Sequence, residues 1–152
     1  MNFVLDNSVV MRWLFNDGGT QDRQYAEDIL NLIAAKTHTP IAPGIWPLEI
    51  ANVISRAEDM GQLEETRSAH FLETIREMGI ENDSITQGLA FGSVLHIARA
   101  YKLSSYDASY LELAMRHAIP LATLDKGLLG AMRKVGVKQL GAEATYWSGL
   151  SK

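Results

Sequence analysis

Two short apolar runs that each lead to an aspartate, with helical periodicity between them, constrain this chain more than any other feature. Phe3-Val4-Leu5 runs straight into Asp6-Asn7-Ser8, and Pro120-Leu121-Ala122-Thr123 leads to Asp125. An apolar run that ends where the period changes reads as a buried strand followed directly by a helix. The first such helix is predicted near residues 8 to 15. Tyr25, Ile29, Leu30 and Ile33 then recur at helical spacing, enough for an amphipathic helix of about four turns. Pro40-Ile41-Ala42-Pro43 reads as an edge strand, because proline cannot donate to a central ladder. Pro47 suits an early helical position, which puts Glu49 in that helix's first turn.

Ile50, Val53, Ile54 and Ala57 continue this helix to a stop at Gly61, and Phe71, Leu72 and Ile75 mark another that stops at Gly79. The pair suggests a helical hairpin. Residues 85 to 102 are expected to stay helical through Gly88 and Gly92. Asp107 opens a further helix through Met115, Asp125 is a natural N-cap for Lys126 to Lys134, and Val137 to Leu140 reads as a last strand. Strands alternating with helices imply a three-layer α/β/α sandwich with a mostly parallel sheet. At 152 residues and 47% hydrophobic content, the chain fills one core, so a single domain over residues 1–152 is expected.

Composition removes several classes of function. No apolar run approaches the roughly 20 residues needed to cross a bilayer, and no basic signal region precedes Phe3. A soluble, cytoplasmic protein without membrane contact is expected. The absence of cysteine excludes disulfides, thiolate catalysis and cysteine-ligated zinc, leaving oxygen or imidazole to hold any metal. His38, His70, His96 and His117 lack paired zinc spacing and read as surface or packing residues.

The acids tell more. Ligand sites in parallel sheets form beyond the carboxyl ends of the strands, where Asp6 and Asp125 fall. Glu49 and Asp107 open helices, and a crossover helix begins on the same side. Each acid alone has an ordinary explanation as a cap, a dipole partner or a turn residue. As a set they repel one another, and their coexistence favours a shared cation. Hard oxygen ligands select Mg²⁺ or Mn²⁺ over zinc. Such a centre activates water against a phosphodiester, which is nuclease chemistry. Ser8 and Thr123 stand two residues from Asp6 and Asp125, where their hydroxyls can bond a carboxylate.

Val4-Leu5-Asp6-Asn7-Ser8, Pro47-Leu48-Glu49-Ile50-Ala51-Asn52, Tyr106-Asp107-Ala108-Ser109-Tyr110-Leu111-Glu112-Leu113-Ala114 and Leu121-Ala122-Thr123-Leu124-Asp125 resemble the four ordered motifs of PIN domains. The likeness spans residues 4 to 129 and is strongest to the VapC-type toxins of toxin–antitoxin pairs. It implies a Mg²⁺- or Mn²⁺-dependent endoribonuclease, commonly a homodimer, held in check by a small VapB-like antitoxin that occludes the site. Metal-holding and catalytic roles carry over to Asp6, Glu49, Asp107 and Asp125. Some members carry another acid shortly after the fourth motif's Asp; here Lys126 and Gly127 follow Asp125, a departure that bears on a second metal position.

Charge is uneven: residues 56 to 83 carry eight acids against three bases, and residues 99 to 138 seven bases against three acids. Although the formal net charge is −4, the basic segment makes Arg116, Lys126 and Arg133 candidates for contact with an RNA backbone. Trp13, Trp46 and Trp147 offer rings for stacking on bases but read first as packing residues. Trp13, Trp46 and Ile50 are also candidates for an apolar groove that takes an antitoxin segment. Glu112, five residues after Asp107, should point away from it. Two other readings remain: an α/β phosphatase or phosphoacceptor domain, in which Ser8 stands where a second aspartate is usual, and a catalytically silent cation-binding module.

Overall fold

The structure is a computed structural model that describes residues 1–141. The predicted last helix and strand positions fall within it, whereas Trp147 lies outside the described residues. In chain order the elements are β1 (Asn2–Leu5), α1 (Asn7–Phe15), α2 (Thr20–Ala34), β2 (Thr39–Pro43), α3 (Trp46–Asp59), α4 (Glu65–Glu77), β3 (Glu81–Asp83), α5 (Leu95–Tyr101), α6 (Ser105–His117), β4 (Leu121–Ala122) and α7 (Lys126–Val135).

The strands form one parallel sheet in the order β3-β2-β1-β4. Phe3, Val4 and Leu5 are all fully buried, and since successive strand residues face opposite sides, both faces of the sheet must be covered. Helix α6 lies over β1, β2 and β4 and also packs on α5 and α7. Seven consecutive residues of α6, Ala108 to Ala114, are buried, so this helix is enclosed around its circumference. The result is the three-layer α/β/α arrangement with a parallel sheet that the alternating pattern implies.

Strand β2 is internal, not an edge. It pairs with β1 through Thr39 to Ile41 and with β3 through Ile41 to Pro43. Its prolines survive there because backbone N–H groups alternate sides along a strand. The Thr39 amide donates to Met1 on the β1 side, so Pro40 lacks a donor toward β3, where pairing has not yet begun. Pro43 lacks one toward β1, where pairing with β2 has already ended at Ile41.

Two further expectations change. Residues 85 to 102 are not one helix: a 3₁₀ turn at Thr86–Leu89 and a π turn at Ala90–Val94 precede α5. The break falls at Gly92, whose φ of −109° and ψ of −108° are not helical, and glycine is a weak helix former. The strand expected at Val137 to Leu140 contracts to a single parallel bridge between Gln139 and Leu121. At the other helix ends the sequence signals hold. Gly61 and Gly79 follow α3 and α4 with φ of +72° and +66°, the left-handed conformation that stops a helix.

Candidate metal centre

Strand β1 is followed across the sheet by β2 and β3 on one side and by β4 on the other, so the strand order reverses between β1 and β4. Asp6 leaves the carboxyl end of β1 and Asp125 follows β4, which places both at this switch point. The two ends are stitched by backbone bonds: the Val4 and Asp6 amides donate to Pro120 and Ala122 at 2.9 and 3.0 Å.

Side chains complete the stitch. Asp6 is 5% exposed, and its Oδ2 accepts hydrogen bonds from Ser8 Oγ at 2.6 Å and Thr123 Oγ1 at 2.8 Å. With their protons committed to Asp6, the two hydroxyls accept in turn. Ser8 Oγ takes the Leu124 amide at 2.9 Å, and Thr123 Oγ1 takes the Asp125 amide at 3.0 Å. The Gln139 side-chain amide holds the Thr123 carbonyl at 3.0 Å. Ser8 and Thr123 thus couple the orientation of Asp6 to the backbone that presents Asp125.

Asp125 caps α7, its Oδ2 accepting from the Leu128 amide at 2.8 Å. A side chain at Gly127 would come within 3.3 Å of the same oxygen, so the residue after Lys126 leaves room for the carboxylate. Asp107 does not itself cap α6. Ser104 does, accepting from the Asp107 amide at 3.0 Å, and Asp107 stands in the first turn at the position of a capping-box acid. Glu49, in the first turn of α3, is held by Tyr110, whose hydroxyl donates to Oε1 at 2.6 Å.

These acids act on one another. Burial raises the Asp6 pKa above its ordinary value, against the pull of Ser8 and Thr123, and Asp125 raises it further. Glu49 is raised by burial and by Asp6 and Asp107, although the Tyr110 bond opposes this. Asp107 is raised by burial, by Asp125 and by Asp6. No cation is among the leading influences on any of the three. Buried carboxylates without a cationic side chain suit a hard divalent ion. Among the described residues, no three Asp, Glu or His side chains already converge on one point as a formed ligand cage. The acids are neighbours, several pinned through a single oxygen: Asp6 and Asp125 through Oδ2, Glu49 through Oε1. The donor set, carboxylate oxygen throughout, is of the kind such an ion takes.

The basic candidates separate. Lys126 and Arg133 are exposed on α7, seven residues apart and hence on one face about 10 Å from each other. Arg116 is instead occupied. Its Nε donates to Glu112 Oε2 at 2.9 Å and its Nη2 to Asp83 Oδ2 at 2.7 Å, with further bonds to both acids. Glu112 does point away from Asp107, into this triad. Arg116 therefore leaves the set of RNA-backbone candidates, because both sides of its guanidinium fork hold carboxylates.

The tryptophans are packing residues where they are described. Trp13 donates to the Ala26 carbonyl at 2.7 Å and Trp46 is 5% exposed. With Ile50 at 3%, neither Trp46 nor Ile50 lines an open groove; Leu48, 71% exposed, is the apolar residue that α3 offers at this end. Tyr110 and Ser104 also belong to the site, beyond the acids and hydroxyls that the motifs single out. Both were marked: Tyr110 follows Asp107 by three residues, on the same helix face, and Ser104 precedes it by three in a capping-box pattern.

Comparison with known proteins agrees with this geometry. The PIN domain family model matches residues 3–134. No curated protein matches the sequence. Among solved structures, PAE2754 from Pyrobaculum aerophilum superposes with a TM-score of 0.65 at 16% identity, over 100% of this chain and 91% of that one, a likeness of fold. With the family model covering nearly the whole described chain, this protein belongs to the PIN domain family, whose members are generally nucleases that use divalent metal ions.

Proposed function

We propose that this protein is a Mg²⁺- or Mn²⁺-dependent endoribonuclease and the toxin of a toxin–antitoxin pair. The observation that carries the nuclease reading is that Asp6, Glu49, Asp107 and Asp125 are neighbours beside the β1/β4 switch point, where burial and the other acids raise the pKa of Asp6, Glu49 and Asp107. Those four residues would hold the ion. When bound, it supplies Lewis-acid chemistry, activating water and offsetting charge on the phosphate. Ser8 and Thr123 fix the Asp6 carboxylate through its Oδ2. Tyr110 fixes that of Glu49 through Oε1. Lys126, next to Asp125, and Arg133, two turns along α7, hold the RNA backbone beside the acids.

Purified protein is expected to cleave single-stranded RNA with Mn²⁺ or Mg²⁺ and not in EDTA, and Asp6→Asn to lose that activity. Cleavage that persists in EDTA would overturn the reading. The toxin assignment rests on the VapC-type order and spacing of the motifs, and adds a VapB-like antitoxin and a homodimer. Co-purification of a small basic or amphipathic partner from the native operon tests it; a free, active monomer counts against it.

A further inference from the structure

A cavity of about 390 Å³ opens beside the acids, lined by Asn7, Ile45, Leu48, Glu49, Asn52, Val53 and Tyr106. Three of these residues are direct chain neighbours of the centre's acids: Asn7 of Asp6, Leu48 of Glu49 and Tyr106 of Asp107. The cavity is therefore built at the N-terminal ends of α1, α3 and α6, the elements that place the acids, and Glu49 belongs to both. Its walls are of two kinds. Leu48 and Tyr106 are large and apolar yet 71% and 60% exposed, an arrangement that costs solvation unless a flat apolar partner covers them. Asn7 and Asn52 bring amides, and Asn7 Oδ1 is buried without a hydrogen-bond partner. With no hydrogen bond to lose, the Asn7 amide is free to turn into the cavity and meet a donor there.

We propose that this cavity seats one unpaired base of the RNA, next to the phosphate that is cut, with Tyr106 as the stacking platform and Asn7 reading the base edge. The proposal rests on the nuclease reading and deepens it. A base offers what the cavity lacks: a flat face for Tyr106 and Leu48, and an N–H for Asn7 Oδ1. A paired base cannot enter, because its face and edge are already engaged in the duplex, so the cavity selects single-stranded RNA. Seating a base here also fixes the adjoining phosphate against the carboxylates, since the platform and the acid are consecutive residues of α6.

The test compares two short single-stranded RNAs, one intact and one with an abasic position scanned along it, bound in Ca²⁺ by wild type, Tyr106→Ala and Tyr106→Phe. Tyr106→Ala should weaken binding of intact RNA about 5- to 100-fold while Tyr106→Phe binds like wild type. At one abasic position the wild type should lose affinity by a similar factor and Tyr106→Ala should lose nothing more. Equal binding of intact RNA by wild type and Tyr106→Ala would overturn the proposal, as would an Ala effect undiminished at every abasic position. A change in molecular mass on Tyr106→Ala with no change in RNA affinity would assign the face to a second copy of the chain and overturn it too. Cleavage by wild type in Mn²⁺ is scored separately: bound RNA that is never cut sinks the nuclease reading, and cut RNA indifferent to Tyr106 sinks the base pocket.

Discussion

At the residue scale the sharpest test is Asp107→Asn. Asparagine keeps the size of aspartate, and the cap of α6 belongs to Ser104, so the helix start is undisturbed. What vanishes is one charge among acids that raise each other's pKa. Cleavage should fall on the order of 100-fold or more, the worth of several kcal/mol of transition-state stabilisation. In EDTA the melting temperature should hold or rise, since repulsion is relieved. With Mg²⁺ at about 100 times its Kd the order should reverse, because ligand linkage adds about 2.7 kcal/mol to the wild type. Wild-type rates in the variant would remove Asp107 from the centre. Tyr110→Phe asks a gentler question. Losing a 2.6 Å bond to Glu49 in a buried setting should cost about 1–3 kcal/mol of stability. It should also raise the metal concentration needed for half-maximal cleavage. An unchanged metal requirement would make Tyr110 a packing residue only.

At the scale of elements, Arg116 joins α6 to the sheet's outermost described strand. Burial alone would raise the Asp83 pKa, but the Arg116 guanidinium and the Thr86 hydroxyl prevail and hold it below the ordinary carboxylate range. Glu112 is 4% exposed, so Arg116→Ala strands a buried acid. A loss of about 2–4 kcal/mol is expected, with early hydrogen exchange at Glu81–Asp83, while the salt dependence of RNA binding stays as in wild type. Replacing Lys126 and Arg133 should do the opposite, flattening that dependence and leaving stability nearly untouched. A flattened slope in Arg116→Ala would return it to the RNA path.

The same elements show what sequence can carry. Helix α2 was legible because Tyr25, Ile29 and Ile33 repeat over four turns, and β1 because three apolar residues meet a sharp change of period. Strand β3 was not, since Glu81-Asn82-Asp83 holds no apolar residue and its place comes from pairing with β2 and from Arg116. Nor could pattern show that Pro40 and Pro43 face unpaired sides of an internal strand. The acids were readable as residues; their anchoring by Ser104, Tyr110 and Gln139 depends on contacts that only folding creates.

For the whole molecule, the raised acids set a pH dependence that runs against the usual acid destabilisation. Asp6, Asp107 and Glu49 have folded pKa values above their ordinary 3.8, 3.8 and 4.5. The folded chain therefore binds protons before the unfolded chain does as pH falls, and stability must rise across that window. Asp83 opposes this only lower down, because a depressed carboxylate loses its contribution below 3.8. His38, lowered by burial and by the chain's amino terminus, pulls the other way below 6.5, so a His38→Gln background isolates the acids. In EDTA that variant should melt higher at about pH 4.5 than at pH 7.5. With saturating Mg²⁺ the trend should reverse, because the ion needs the deprotonated acids. A metal-free melting temperature that falls steadily with acid would contradict the crowding of these carboxylates.

The hydrogen bond that Thr123 donates to Asp6 spans a sequence separation of 117 residues. As a ribosome delivers the chain, Asp6 emerges together with Ser8 and then waits for β4, because Thr123 follows it by 117 residues. Until that strand docks beside β1, the first acid and the fourth belong to no common place. Truncated products ending before residue 120 are therefore expected not to cleave RNA even where their helices form. The first acid and the fourth come together in one step, with the closing of the long loop between Asp6 and Thr123.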